Sequence, residues 1–306
     1  MRLGRVLAVL LTLALPAAAQ EPPPLVFEAP PSMAALAERL RTFDRERLAV
    51  AMRLAGLEAS TDPVLLLLAE EGSDLARRAP PWVSGYADGA RGVAVVLPGR
   101  IPNYPDGSLE AVVQHEATHV FVARAARGRP VPRWFDEGVA MAAARAWTLE
   151  DRTQLAWGVL TGGPGDLEEL EGAFRQSAAM TRTAYALSYS LVRELQREAG
   201  QEVTAEILRR VGEGASFDAA FAAAVGRPLA DVGRAFFRRQ TFWNRWVPFL
   251  TSSTALWLGI TFLALAAFRR RRRRDAEIAR RWEAEDRSWR VIPRRPEEPP
   301  PDELVN

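Results

Sequence analysis

The sequence predicts an α+β fold in which a small β unit leads into a helical half. Three observations predict it. "PVLLLLA" at 63–69 is a short uninterrupted apolar run, the pattern of a strand buried on both faces. Apolar runs on either side of "ADGARG" at 87–92 suggest a hairpin. From Ser108 onward helical periodicity dominates, interrupted by Gly- and Pro-rich turns.

The elements follow in order along 306 residues, enough for one fair-sized domain with appendages. The opening "MRLGRVLAVLLTLALPAAAQ" joins basic Arg2 and Arg5 to an apolar stretch at 6–15 and small residues at 17–19. That order marks a cleaved signal peptide over 1–20, because the apolar stretch is too short to span a bilayer. Residues 21–59 read as a Pro-rich linker, "EPPPLVFEAPPS", followed by two helices between Met33 and Leu57. A domain over 60–242 opens with the β unit, whose strand from Gly92 to Leu97 is expected to pair with an extended substrate. A long helix is expected from Ser108 to about Ala126, with its apolar positions leaving one polar face. "GRPVP" at 128–132 ends it, and a second helix starts near Arg133 and runs through "WFDEGVAMAAARA". Beyond "TGGPG" at 161–165 the chain stays helical, with breaks near Gly200, Gly212 and Gly226.

A second apolar run, "VPFLTSSTALWLGITFLALAAF" at 247–268, carries no charge. A helix rising ~1.5 Å per residue crosses the ~30 Å hydrocarbon layer in about 20 residues, so this run is long enough. Trp243 and Trp246 precede it like an interfacial belt, and six consecutive arginines, from Arg269 to Arg274, follow it. The sequence therefore predicts one transmembrane helix over 243–268 and a basic, Pro-rich cytoplasmic tail over 269–306. The domain before it falls on the periplasmic side of the cell membrane. The net charge is only +2 and the arginines adjoin the span, so lipid headgroups rather than nucleic acid are their expected partners. The chain has no cysteine, which excludes disulfides, thiolate metal sites and a cysteine nucleophile.

The chain has only two histidines, His115 and His119, and both fall in "VQHEATHVF" at 113–121. Residues i and i+4 lie one above the other on a helix, so both imidazoles can address one point. Zinc accepts imidazole nitrogen in tetrahedral geometry, and a catalytic site holds it by three protein ligands. Glu116, rotated by about 100° from His115, is placed to take a proton from a water instead of ligating. With no histidine or cysteine left, the third ligand must be a carboxylate. "RWFDEGVAMA" offers Glu137, with Asp136 beside it as the alternative, and Gly138 permits a close approach of this helix to the first.

"HEATH" followed by "WFDEGVA" resembles the gluzincin metallopeptidases, the peptidase MA-like group related to the M1 aminopeptidases. The resemblance implies a zincin-like metallopeptidase domain, Zn2+ held by His115, His119 and Glu137, and Glu116 as the catalytic base. "AYALSYSLVRELQREAG" at 184–200 is similar to the family helix whose first tyrosine assists the transition state, which implies Tyr185. Tyr189 shares its helix face. Residues 217–239 resemble the helical end of the group. The sequence departs from the pattern in three places. The interval from His119 to Glu137 is slightly short, no G-A-M-E-N segment precedes the zinc helix, and Met141 stands where some relatives carry an Asp bonded to a ligand histidine. The expected function is a membrane-anchored extracytoplasmic zinc metallopeptidase acting on a peptide or protein substrate. The alternative is a catalytically silent zincin-fold binding or assembly protein tethered to the membrane. Glu116 favours the first, because a protein without turnover needs no base.

Overall fold

The computed structural model describes residues 22–101, 105–144, 148–160, 162–251 and 253–290. The predicted signal peptide at 1–20 and the end of the predicted tail, 291–306, lie outside the described residues. The elements in order are β1 (Leu25–Glu28), α1 (Ala34–Leu40), α2 (Glu46–Ala55), β2 (Val64–Leu68), α3 (Asp74–Arg77), β3 (Gly85–Asp88), β4 (Val93–Val96) and α4 (Leu109–Ala125). Then come α5 (Arg133–Ala144), α6 (Leu149–Leu160), α7 (Leu167–Ala173), α8 (Ala178–Ala199), α9 (Val203–Gly212), α10 (Phe217–Val225), α11 (Leu229–Thr251) and α12 (Ser253–Arg290). The result is a mixed α+β architecture, mostly helical with one small sheet.

The sheet has the order β1-β2-β4-β3. β1, β2 and β4 are parallel, while β3 runs antiparallel to β4 with Tyr86 opposite Val95 and Asp88 opposite Val93. β2 lies between two strands and is covered on its faces, which accounts for its unbroken apolar sequence. Two expectations are corrected. Leu25–Glu28, expected to be part of a linker, forms β1 beside β2. The prolines around it forbid a helix, and Leu25 and Phe27 alternate inward to pack on the core. β4 is an interior strand and cannot take up a substrate strand; the edge next to it is β3.

α4 lies across β2, β3 and β4, with α2, α5 and α9 against its other sides. Ser108 caps its start, the hydroxyl accepting from the Ala111 amide at 3.2 Å. Instead of the single polar face expected, almost every residue from Leu109 to Val122 is buried. The polar ones off the histidine face are satisfied by backbone. Gln114 Nε2 donates to Arg47 O at 2.9 Å and Ala143 O at 2.6 Å, and Thr118 Oγ1 donates to Gln114 O at 2.7 Å. α5 is capped from a distance, since the Arg133 and Trp134 amides donate to Glu171 Oε1 and Oε2 at 3.0 and 3.2 Å. Gly138 does permit a close helix contact, but with α8 and not α4. A Cβ there would lie 2.6 Å from Ser188 O and 2.5 Å from Val192 Cγ2.

The chain forms two compact units, residues 1–244 and 245–306. In the second unit α12 begins apolar and turns basic at Arg269. Its Leu256, Trp257, Phe262, Leu263 and Phe268 are exposed. Among the described residues no helix is long and apolar enough to cross a membrane. The predicted apolar run at 247–268 is divided between α11 and α12 at residue 252, which lies outside the described residues.

Candidate metal centre

His115 and His119 lie one helical turn apart on α4, and their rings meet edge to face with centroids 4.9 Å apart. α5 packs beside α4 and delivers Glu137 from its first turns. Glu137 Oε2 lies 3.3 Å from His115 Nε2 and 3.5 Å from His119 Nε2. Ligand atoms of the three side chains all fall within 4.8 Å of one another. Two atoms each about 2.1 Å from a shared tetrahedral ion stand about 3.4 Å apart, so the donor set fits a zinc-sized cation. Asp136, the alternative ligand, faces elsewhere: its Oδ1 lies 2.9 Å from His119 Nδ1, on the far side of that ring.

Two further residues close the arrangement, and the sequence did not single them out. Asp106, 5% exposed, comes from the loop before α4 and places Oδ2 3.4 Å from His115 Nδ1. Arg133, one turn before Glu137, donates from Nε to Glu137 Oε1 at 3.2 Å, leaving Oε2 to face the histidines. Its guanidinium stacks 4.7 Å above the Phe174 ring.

Charges are coupled across this cluster. Burial alone would lower the His115 pKa, but the Asp106 charge and the Glu137 contact outweigh it and raise it. His119 is likewise raised well above its ordinary value, Asp136 and Glu137 overriding the burial penalty. Burial would push Glu137 up, yet the two histidines hold it well below the usual carboxylate range. Glu116 has no such partner at its side chain. Burial dominates, offset only in part by the histidine charges, and pushes it up to about 7. Its Oε2 is buried without a hydrogen-bond partner among the described residues. β3 touches it from the other side: a Cβ on Gly85 would lie 2.6 Å from Glu116 Oε1, so any side chain there would push this carboxylate aside.

The cluster opens into a cleft of about 620 Å³ whose walls come from β3, α4, α5 and α8. Tyr185 lines it, 6.4 Å from the His115 ring and 5.5 Å from the Phe174 ring between centroids. Burial and then the Glu137 charge hold its phenol well above its ordinary pKa, so it stays a donor. Tyr189, one turn on, is not among the described residues that line the cleft; its ring lies under Arg193, 5.8 Å from the guanidinium. The structure thus brings His115, Glu116, His119, Glu137 and Tyr185 to one cleft and leaves Tyr189 outside it.

A family model described as Peptidase MA superfamily matches residues 57–242, more than half of the chain. No curated protein and no solved structure matches it.

Proposed function

The chain belongs to the Peptidase MA superfamily, and from that premise we propose that it is a zinc-dependent peptidase of the gluzincin type, held at a membrane with its catalytic domain outside the cytoplasm. The observation that carries the catalytic part is the convergence of His115 Nε2, His119 Nε2 and Glu137 Oε2 beside the Glu116 carboxylate, whose Oε2 is buried without a hydrogen-bond partner among the described residues. A bound zinc ion would supply Lewis-acid polarisation of the scissile carbonyl and acidify a water beside it. The chain does the rest. Glu116 takes the proton from the attacking water and returns it to the leaving amine. Tyr185 donates its phenolic hydrogen to the carbonyl oxygen as that oxygen gains charge. Arg133 keeps Glu137 turned toward the histidines. β3 is a sheet edge and lines the cleft, so its outward backbone groups suit an extended peptide.

Glu116→Gln keeps shape and ligands and removes only the base. Turnover of a quenched peptide library should fall by about 10²–10⁴-fold with zinc content unchanged. Near-normal turnover in this variant would end the assignment of Glu116 as the base.

The membrane part rests on the sequence. The signal pattern at 1–20, the uncharged run at 247–268 and the arginines after it support one span with the C-terminus inside. The exposed apolar surface of α12, which water would not favour, supports it too. A reporter active only in the periplasm should be silent when fused after Asn306 and active when fused before Trp243. The reverse pattern would refute the orientation.

A further inference from the structure

We propose that Asp106 and Asp136 are positioning residues that set the affinity of the metal centre, each acting on the back of one histidine ligand. This rests on the reading of His115, His119 and Glu137 as metal ligands. Neither aspartate is a ligand itself: among the described residues the converging group is His115, His119 and Glu137. Yet in both rings the arrangement is the same. Nε2 faces Glu137, at 3.3 and 3.5 Å, and Nδ1 faces an aspartate, at 3.4 Å for Asp106 and 2.9 Å for Asp136. Both aspartates bring a carboxylate oxygen close enough to act on the ring through charge across a short distance.

The consequence follows from imidazole chemistry. A neutral ring carries one hydrogen and one lone pair, and the nitrogen beside an anion keeps the hydrogen. An aspartate at Nδ1 therefore leaves the Nε2 lone pair facing the converging point, and makes that lone pair more basic. Both aspartates are set for this from outside the ligand positions. Asp106 is buried at 5% exposure with His115 at 3%, so its charge is poorly screened. Asp136 immediately precedes Glu137, and α5 therefore presents a ligand and the partner of another ligand on successive residues. Met141 cannot do this work, since a thioether carries no charge, and the two aspartates reach the rings from different positions.

The test is the affinity of the full chain for Zn2+, and the ligand-field spectrum with Co2+ as probe, for Asp106→Asn and Asp136→Asn. Each substitution keeps size and removes the charge. Each should weaken Zn2+ binding by about 10–100-fold and shift the Co2+ bands, while the metal-free protein unfolds at nearly the parent temperature. Asp88→Asn, at an exposed residue paired with Arg91, should change neither reading. Asp136 is the safer site, its side chain 28% exposed, should the buried Asp106 variant fail to fold. Zn2+ affinities within threefold of the parent would overturn the proposal. So would a loss matched by collapse of the metal-free fold in both variants. No peptide need be cleaved for the test: a parent that binds no Zn2+ would refute the ligand reading itself, whereas a parent that binds beside equally tight variants would refute only this inference.

Discussion

α4 and α12 both carry long apolar stretches, and they end in opposite surroundings. On α4, Val113, Val120 and Phe121 are 0% exposed, enclosed by the sheet and by neighbouring helices. On α12, Trp257 and Phe262 are 65% and 73% exposed. The difference teaches what gives the histidine face its precision. A helix enclosed on all sides but its cleft face cannot rotate without breaking its packing, so its polar residues keep fixed partners: Gln114 two carbonyls, His115 and His119 an aspartate each. The exposed apolar side chains of α12 have no such enclosure to hold them in place.

The contrast breaks most easily at the centre of α4. Phe121→Ala removes a fully buried ring from the helix that carries the two histidines and should cost about 3–5 kcal/mol of stability, read by denaturant unfolding. A cost below about 1 kcal/mol would mean that the enclosure of α4 is not what holds the site. Tyr185→Phe tests the cleft that α4 faces. The ring and its contact with Phe174 stay, and only the donor hydroxyl goes, so kcat should fall about 10²–10³-fold, roughly 2.7–4 kcal/mol, with zinc content unchanged. Tyr189→Phe, outside the cleft, should do much less; the opposite ranking would place the donor one turn further along α8. The smallest effect is expected on α12. Phe262→Ala should move the unfolding free energy of the detergent-solubilised chain by no more than about 0.5 kcal/mol, because the ring makes little packing to lose. A change comparable to that of Phe121→Ala would erase the distinction between the helices.

Much of the plan was legible in local pattern. The apolar run of β2, the hairpin of β3 and β4, the α4 and α5 boundaries and the grouping of His115, His119 and Glu137 all follow from spacing within one or two elements. β1 was not legible, because Leu25–Glu28 becomes a strand only by pairing with β2, nearly forty residues on, and prolines mask it locally. Asp106 was hidden in a Pro-Asp-Gly segment that reads as an ordinary turn.

What the sequence by itself determined is the set of groups able to do chemistry: two histidines a turn apart, a glutamate between them, a carboxylate supplied by the next helix, and no thiol to compete. Helical spacing is a local property of the backbone, so it fixes the histidine pair without help from the fold. The tertiary structure alone decided which carboxylate converges with both histidines and which stands behind a ring, that β3 and not β4 is the open edge, and that Gly85 makes room for Glu116. Those choices depend on distances between segments far apart in the chain, and only packing sets such distances.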